Sequence, residues 1–252
     1  MARYQSILAY DGTDFSGFQR QAGRKSNRTI QGEVERALRV IGWQGKSILA
    51  AGRTDAGVHA SGQVIAFDLD WSHTDQDLQA ALNANLPADA ALHALTLARP
   101  EFHPRFDAVA RRYRYRVFCQ PWRDPLRERY AWRVWPECDL QLLNQAAARI
   151  VGEHDFGAFG SPTRSGGGTT RTVSKADWSI EGDERTFEVT ANSFLFRMVR
   201  RLVSLMVRIG QGAVQLETIN SCLQGRQKDL VKGVAPACGL TLVEVSYAIP
   251  AD

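Results

Sequence analysis

No apolar run in the 252 residues approaches the ~20 that a membrane-spanning helix needs. The opening "MARYQSILAYDG" is too polar, and too brief in its apolar part, for a secretory signal. A cytoplasmic chain without a membrane segment is expected. Cysteine is scarce: Cys119, Cys138, Cys222 and Cys238 are the four, and none forms a Cys-x-x-Cys pair. That spacing argues against both a zinc site and a disulfide framework and leaves reduced thiols. The five histidines make no His-x-x-x-His pair, so no metal is expected. A phosphate loop is missing too. "SGGGTT" lacks the Gly-Lys-Ser/Thr ending and opens no periodic helix, so it reads as a flexible loop.

Acid is sparse in one place. Between Arg99 and Arg133 stand ten arginines and four acids, a local excess of six positive charges in a chain whose net charge is +4. Arginine forks match phosphate geometry and stack on bases. The stripe therefore suggests a nucleic-acid partner. The competing reading is a solvated face balanced in space by acids from elsewhere. Composition is otherwise that of a soluble globular protein, 44% hydrophobic and 23% charged.

Strands and helices alternate, but hairpins intervene, which predicts an α+β fold with largely antiparallel sheets. "RYQSILAYDG" reads as a strand and turn. "TIQGEVERALRVIG" carries a helical stripe of Ile30, Val34, Ala37, Leu38 and Ile41, with Thr29 as N-cap and Gly42 as stop. "SILAA", "SGQVIAFDLD", "AALHALTLA", "DAVARRYRYRVF" and "GLTLVEVSYAI" read as strands. "TDQDLQAALNANLP", "DLQLLNQAAARIVG", "FLFRMVRRLVSLMVRIGQG" and "LETINSCLQG" read as helices. "KADWSIEGDERTFEVTAN" is a hairpin about Gly182-Asp183, and "GEHDFGAFGSPTRSGGGTTRTV" a Gly-rich loop.

Three stretches carry candidate chemistry. In "AAGRTDAGVHASGQVIAF", residues 50–67, Arg53 and Asp55 sit among glycines at the mouth of a strand. This is either a tight turn with a surface ion pair or a reactive carboxylate on a shaped loop. In "RRYRYRVF", an extended chain puts Tyr113, Tyr115 and Val117 on one face, and Arg112, Arg114, Arg116 and Phe118 on the other. An aromatic on such a strand could stack on an unpaired base, and the pattern does not choose between the two tyrosines. In "FLFRMVRRLVSLMVRIG", helical spacing gives Val199, Leu202, Val203, Met206 and Ile209 one apolar face. Arg197, Arg201 and Arg208 lie opposite, and Arg200 on the flank, where a half-buried ion pair could form. His59 reads as a hydrogen-bonded structural residue, and Asp11 and Asp14 as shaping the "DGTD" turn beside Gln19 and Arg20.

Taken together, "YDGTDFSGFQRQ", "GRTDAGVHA", "FHPRFDAVARRYRYRVF", "GEHDFGAF", "ANSFLFRMVRRLV" and "APACGL" resemble the tRNA pseudouridine synthase A family, in that family's order and over nearly the whole chain. The resemblance implies an isomerase with two α/β halves around one extended, mainly antiparallel sheet and a central cleft. Residues 1–107 would carry "GRTDAGVHA", and 108–252 the "YRY" strand and the "FLFRMVR" helix. It implies a homodimer, no cofactor, and uridines at positions 38, 39 and 40 of the tRNA anticodon stem-loop as substrate. By the same resemblance Asp55 is the catalytic aspartate, Tyr113 the active-site tyrosine, and Arg200 the arginine that pairs with the aspartate. Arg53 helps hold the flipped nucleotide. Gln19, Arg112 and Arg114 are further expected contacts to RNA. Gly160 departs from the pattern, standing where many relatives have a basic or polar residue.

The rival readings are a non-catalytic RNA-binding protein of the same fold and a nucleoside or glycoside hydrolase. The hydrolase calls for two essential carboxylates, and the "GRTDAGVHA" loop has one.

Overall fold

The computed structural model describes residues 1–20, 27–162, 166–225, 231 and 233–248. Part of the "SPTRSGGGTT" loop, residues 163–165, lies outside the described residues. The chain divides into two units, Met1–Val109 with Leu242–Asp252, and Ala110–Thr241.

The first unit is built on β1 (Ala2–Tyr10), β2 (Leu49–Ala50), β3 (His59–Leu69), β4 (Ala90–Leu97) and the returning strand β10 (Leu240–Tyr247). Their order is β4-β1-β3-β10, with β2 paired to β3. β1 runs antiparallel to both β3 and β4. The register sets Tyr4 opposite Phe67, and their rings stack at 5.9 Å. Two helices, α1 (Ile30–Val40) and α2 (Asp75–Asn85), belong to this unit. Thr29 caps α1 by accepting the Gly32 N–H at 3.2 Å. Thr74 and Asp77 form a reciprocal capping box on α2. Leu8, Leu38, Ile65, Leu78 and Leu82 are fully buried, so both helices are held by packing as well as by their caps.

The second unit orders β5 (Ala108–Cys119), β9 (Glu184–Ala191), β8 (Thr170–Glu181) and β7 (Gly152–Asp155) as β5-β9-β8-β7. These pairings are antiparallel, whereas β6 (Trp132–Val134) runs parallel to β5. α3 (Leu140–Ala148), α4 (Met198–Gly210) and α5 (Thr218–Leu223) complete it. Asn144 of α3 locks onto β8: its amide donates to the Trp178 carbonyl and accepts the Trp178 N–H, each at 2.9 Å. Trp178 stacks on Phe187 of β9 at 5.0 Å. The result is an α+β fold of mostly antiparallel strands. Among the described residues no helix is long and apolar enough to cross a membrane.

Two details differ from the sequence expectation. β7 occupies part of the expected Gly-rich loop, because Gly152–Asp155 finds a partner in Val173–Thr170 of β8. The helix expected to begin near Phe194 begins at Met198. Arg197 stands before it in the left-handed region, at φ 62, and so does not lie on the helical face that its spacing suggested.

Candidate active site

The loop between β2 and β3 is held by neutral groups. The Ala51 N–H donates to the Val64 carbonyl at 2.9 Å, the last ladder bond before the chain leaves the sheet. Gln63, wholly buried, donates its amide to the Gly52 carbonyl at 3.0 Å. Thr54 points inward, where its hydroxyl meets the buried Tyr10 hydroxyl at 2.8 Å and its carbonyl accepts the Phe18 N–H at 3.0 Å. Gly12 passes so close that a Cβ there would sit 2.0 Å from the Val58 carbonyl oxygen. Its N–H donates to His59 Nδ1 at 3.1 Å, and His59 is buried.

With Thr54 fixed inward, Arg53 is exposed and Asp55 half-buried. Gln19, also exposed, follows directly on Phe18, so the Phe18–Thr54 bond carries it to the same loop. Asp55 is thus presented on a short segment anchored on both sides, and such anchoring limits the reorganisation a reactive carboxylate needs.

In the second unit, the structure separates the two tyrosines that pattern left equal. Tyr115 is fully buried, its hydroxyl donates to the Pro236 carbonyl at 2.8 Å, and burial pushes its pKa well above the ordinary value. Tyr113 stays half-buried, with Phe194 edge-on at 5.0 Å. Arg200 lies in the first turn of α4, half-buried. Its Nε donates to the Ala235 carbonyl at 2.7 Å, and the Ala235 N–H donates back to the Arg200 carbonyl at 3.2 Å. That two-way tie fixes the guanidinium on the helix flank.

The arginine stripe meets acids, some brought from β9 and the turn before it and some from its own segment. On β5, Arg112 and Arg114 share Glu188 of β9 at 3.4 and 2.7 Å, and Arg116 holds Glu184 at 2.6 Å. Arg127 pairs with Asp183 at 2.7 Å, Arg123 and Arg133 with Glu128 at 2.6 and 3.2 Å, and Arg99 with Asp107 at 2.5 Å. Burial alone would raise the Glu188 carboxyl. The Arg114 hydrogen bond and both guanidinium charges overcome burial and hold it below the ordinary value. Glu184 and Glu188, four apart on one strand face, were the readable signal for this pairing.

Residues 189–216 differ in their own composition. They contain Arg197, Arg200, Arg201 and Arg208 and not one Asp or Glu. Among the described residues, no group of three or more His, Cys, Asp or Glu side chains is placed to hold a metal ion.

A family model described as tRNA pseudouridine synthase matches residues 7–107 and 146–248. A tRNA pseudouridine synthase A of Limosilactobacillus fermentum is 39% identical over 100% of this chain and 98% of its own. One of Geobacillus kaustophilus is 40% identical over 97% and 94%. The chain belongs to the tRNA pseudouridine synthase family. A solved archaeal box H/ACA sRNP Nop10–Cbf5 complex aligns over 81% of this chain and 54% of that one, at 10% identity and a TM-score of 0.34. Membership rests on the sequence relatives alone.

Proposed function

We propose that this enzyme converts uridine to pseudouridine at positions 38, 39 and 40 of the tRNA anticodon stem-loop, working in the cytoplasm as a homodimer and without a cofactor. The observation that carries this reading is the anchored loop that carries Asp55, in a chain that a family relative matches along its whole length. The reaction breaks the C1′–N1 bond, turns the uracil, joins C5 to C1′ and finally gives up the C5 proton while the freed N1 takes one up. No atom is gained or lost.

Asp55 acts at the sugar, as nucleophile at C1′ or by removing a sugar proton. Both versions need an ionised carboxylate, and an arginine favours that form. Arg200 is assigned this part. Tyr113, whose ring is held edge-on by Phe194, stacks on the uracil and serves the late proton transfer. Arg53 and Gln19 bind the displaced nucleotide. Arg112 and Arg114 contribute to RNA binding through whatever charge Glu188 leaves them.

The test uses unmodified tRNA. Turnover should leave the RNA mass unchanged while creating carbodiimide-reactive residues at positions 38 to 40. Free uracil would instead indicate a hydrolase, and tight binding with neither product would indicate a non-catalytic RNA-binding protein.

A further inference from the structure

Phe196 and Arg197 are costly where they stand. Arg197 is the one non-glycine with positive φ among the described residues, at 62°. Glycine or asparagine is the usual occupant of such a site. Phe196, its neighbour, keeps 47% of its surface exposed even with the Arg197 guanidinium 4.8 Å above its ring.

The surrounding chain imposes this arrangement. The Phe196 N–H donates to the Ser161 carbonyl at 3.0 Å, and the Met198 N–H to the Leu195 carbonyl at 3.1 Å. Gly160 lies against the same turn, where a Cβ would meet Leu195 Cβ at 2.6 Å and the Phe196 carbonyl oxygen at 2.7 Å. The absence of a side chain at Gly160 is thereby explained. It lets the 195–198 turn close, and the turn carries the exposed pair.

We infer that Phe196 and Arg197 form a stacking platform for an unpaired base of the RNA substrate. The aromatic ring offers a face to the base, and the guanidinium backs it while favouring nearby phosphate. Charge selects RNA over a second copy of this chain as the occupant. Arg197 is exposed beside the ring, and a polyanion matches it better than a second copy of a chain whose net charge is +4. The inference rests on the RNA reading given above and names a contact for it.

Tight-binding and steady-state measurements on unmodified tRNA test it in the full chain. Phe196→Ala should raise Kd and KM about five- to a hundredfold, the range for removing one base–aromatic stack, with kcat within about threefold. Phe196→Trp should restore binding. Arg197→Gly should hold or raise Tm, because glycine relieves the left-handed backbone, and yet weaken RNA binding. A merely structural Arg197 would move the two together. The inference is overturned if both variants bind tRNA like the wild type. It is also overturned if Phe196→Ala disrupts self-association in sedimentation while sparing RNA affinity. Should the wild type itself fail to form pseudouridine, the underlying reading falls first. A functional wild type with indifferent variants removes the platform alone.

Discussion

Two arginine-rich regions of the second unit differ in what surrounds them. Along β5 and the segment that follows it, arginines meet Glu184, Glu188, Asp183 and Glu128. In residues 189–216, four arginines share a stretch with no acid at all. The first region has more arginine in sequence, and the second has no acid within its own stretch. Counting arginines overstates the field a nucleic acid meets, because ion pairs along β5 and β9 consume charge before any ligand arrives.

The largest expected effect separates chemistry from both regions. Asp55→Asn should lower turnover at least about a thousandfold while leaving tRNA affinity within a few-fold. Single-turnover rates and Kd on the same transcript check it. Residual activity above a thousandth would remove Asp55 from the central step.

Next comes Tyr113→Phe. Uridine turnover should fall by at least about a hundredfold, the scale for removing a general base. RNA fluorinated at C5 has no proton to lose there, and the variant should rearrange it within about tenfold of the wild type. An equal defect on both RNAs would move the hydroxyl to an early role.

The comparison itself is tested by salt. Removing one arginine–phosphate pairing should flatten the log–log salt slope by about 0.7 to 0.9. Arg197→Ala with Arg201→Ala should approach twice that change, and Arg112→Ala with Arg114→Ala should fall clearly short of it. Equal changes from the two pairs would break the distinction.

The smallest effect concerns Glu188. Its folded pKa lies below the ordinary carboxylate value, so its contribution to stability is present above the unfolded pKa and is lost as pH falls through the folded one. Glu188→Gln should blunt the acid loss of Tm below about pH 4.5. It should also strengthen tRNA binding by a few-fold at neutral pH, since Arg112 and Arg114 lose their shared acid.

Much of this was legible in the residues. Thr29 announced α1, the "DGTD" and "GRTD" stretches marked the loop, and alternation in "RRYRYRVF" placed aromatic and basic faces on β5. What stayed hidden depends on distant partners. Tyr115 is set apart from Tyr113 by Pro236, 121 positions away. The β5 arginines are answered by Glu188, 74 positions from Arg114. Arg197 leaves the helix because Ser161 and Gly160 fix the turn, and no local periodicity carries that information. β6 and β7, three and four residues long, are too short for a period to register.

The returning strand β10 has a consequence for synthesis. The first unit places β10 beside β3, yet β10 begins at Leu240, after the whole second unit. At elongation rates of roughly 5–20 residues per second, the ribosome spends on the order of ten seconds between the two parts. During that interval β3, buried along nearly its entire length in the finished fold, has the part of its second edge beyond the short β2 pairing at Ile65 and Ala66 left open. The nascent chain thus carries an apolar strand edge that β2 covers in part and its last-made strand completes, and a factor that shields the open part would act on the growing polypeptide and have no target on the finished enzyme.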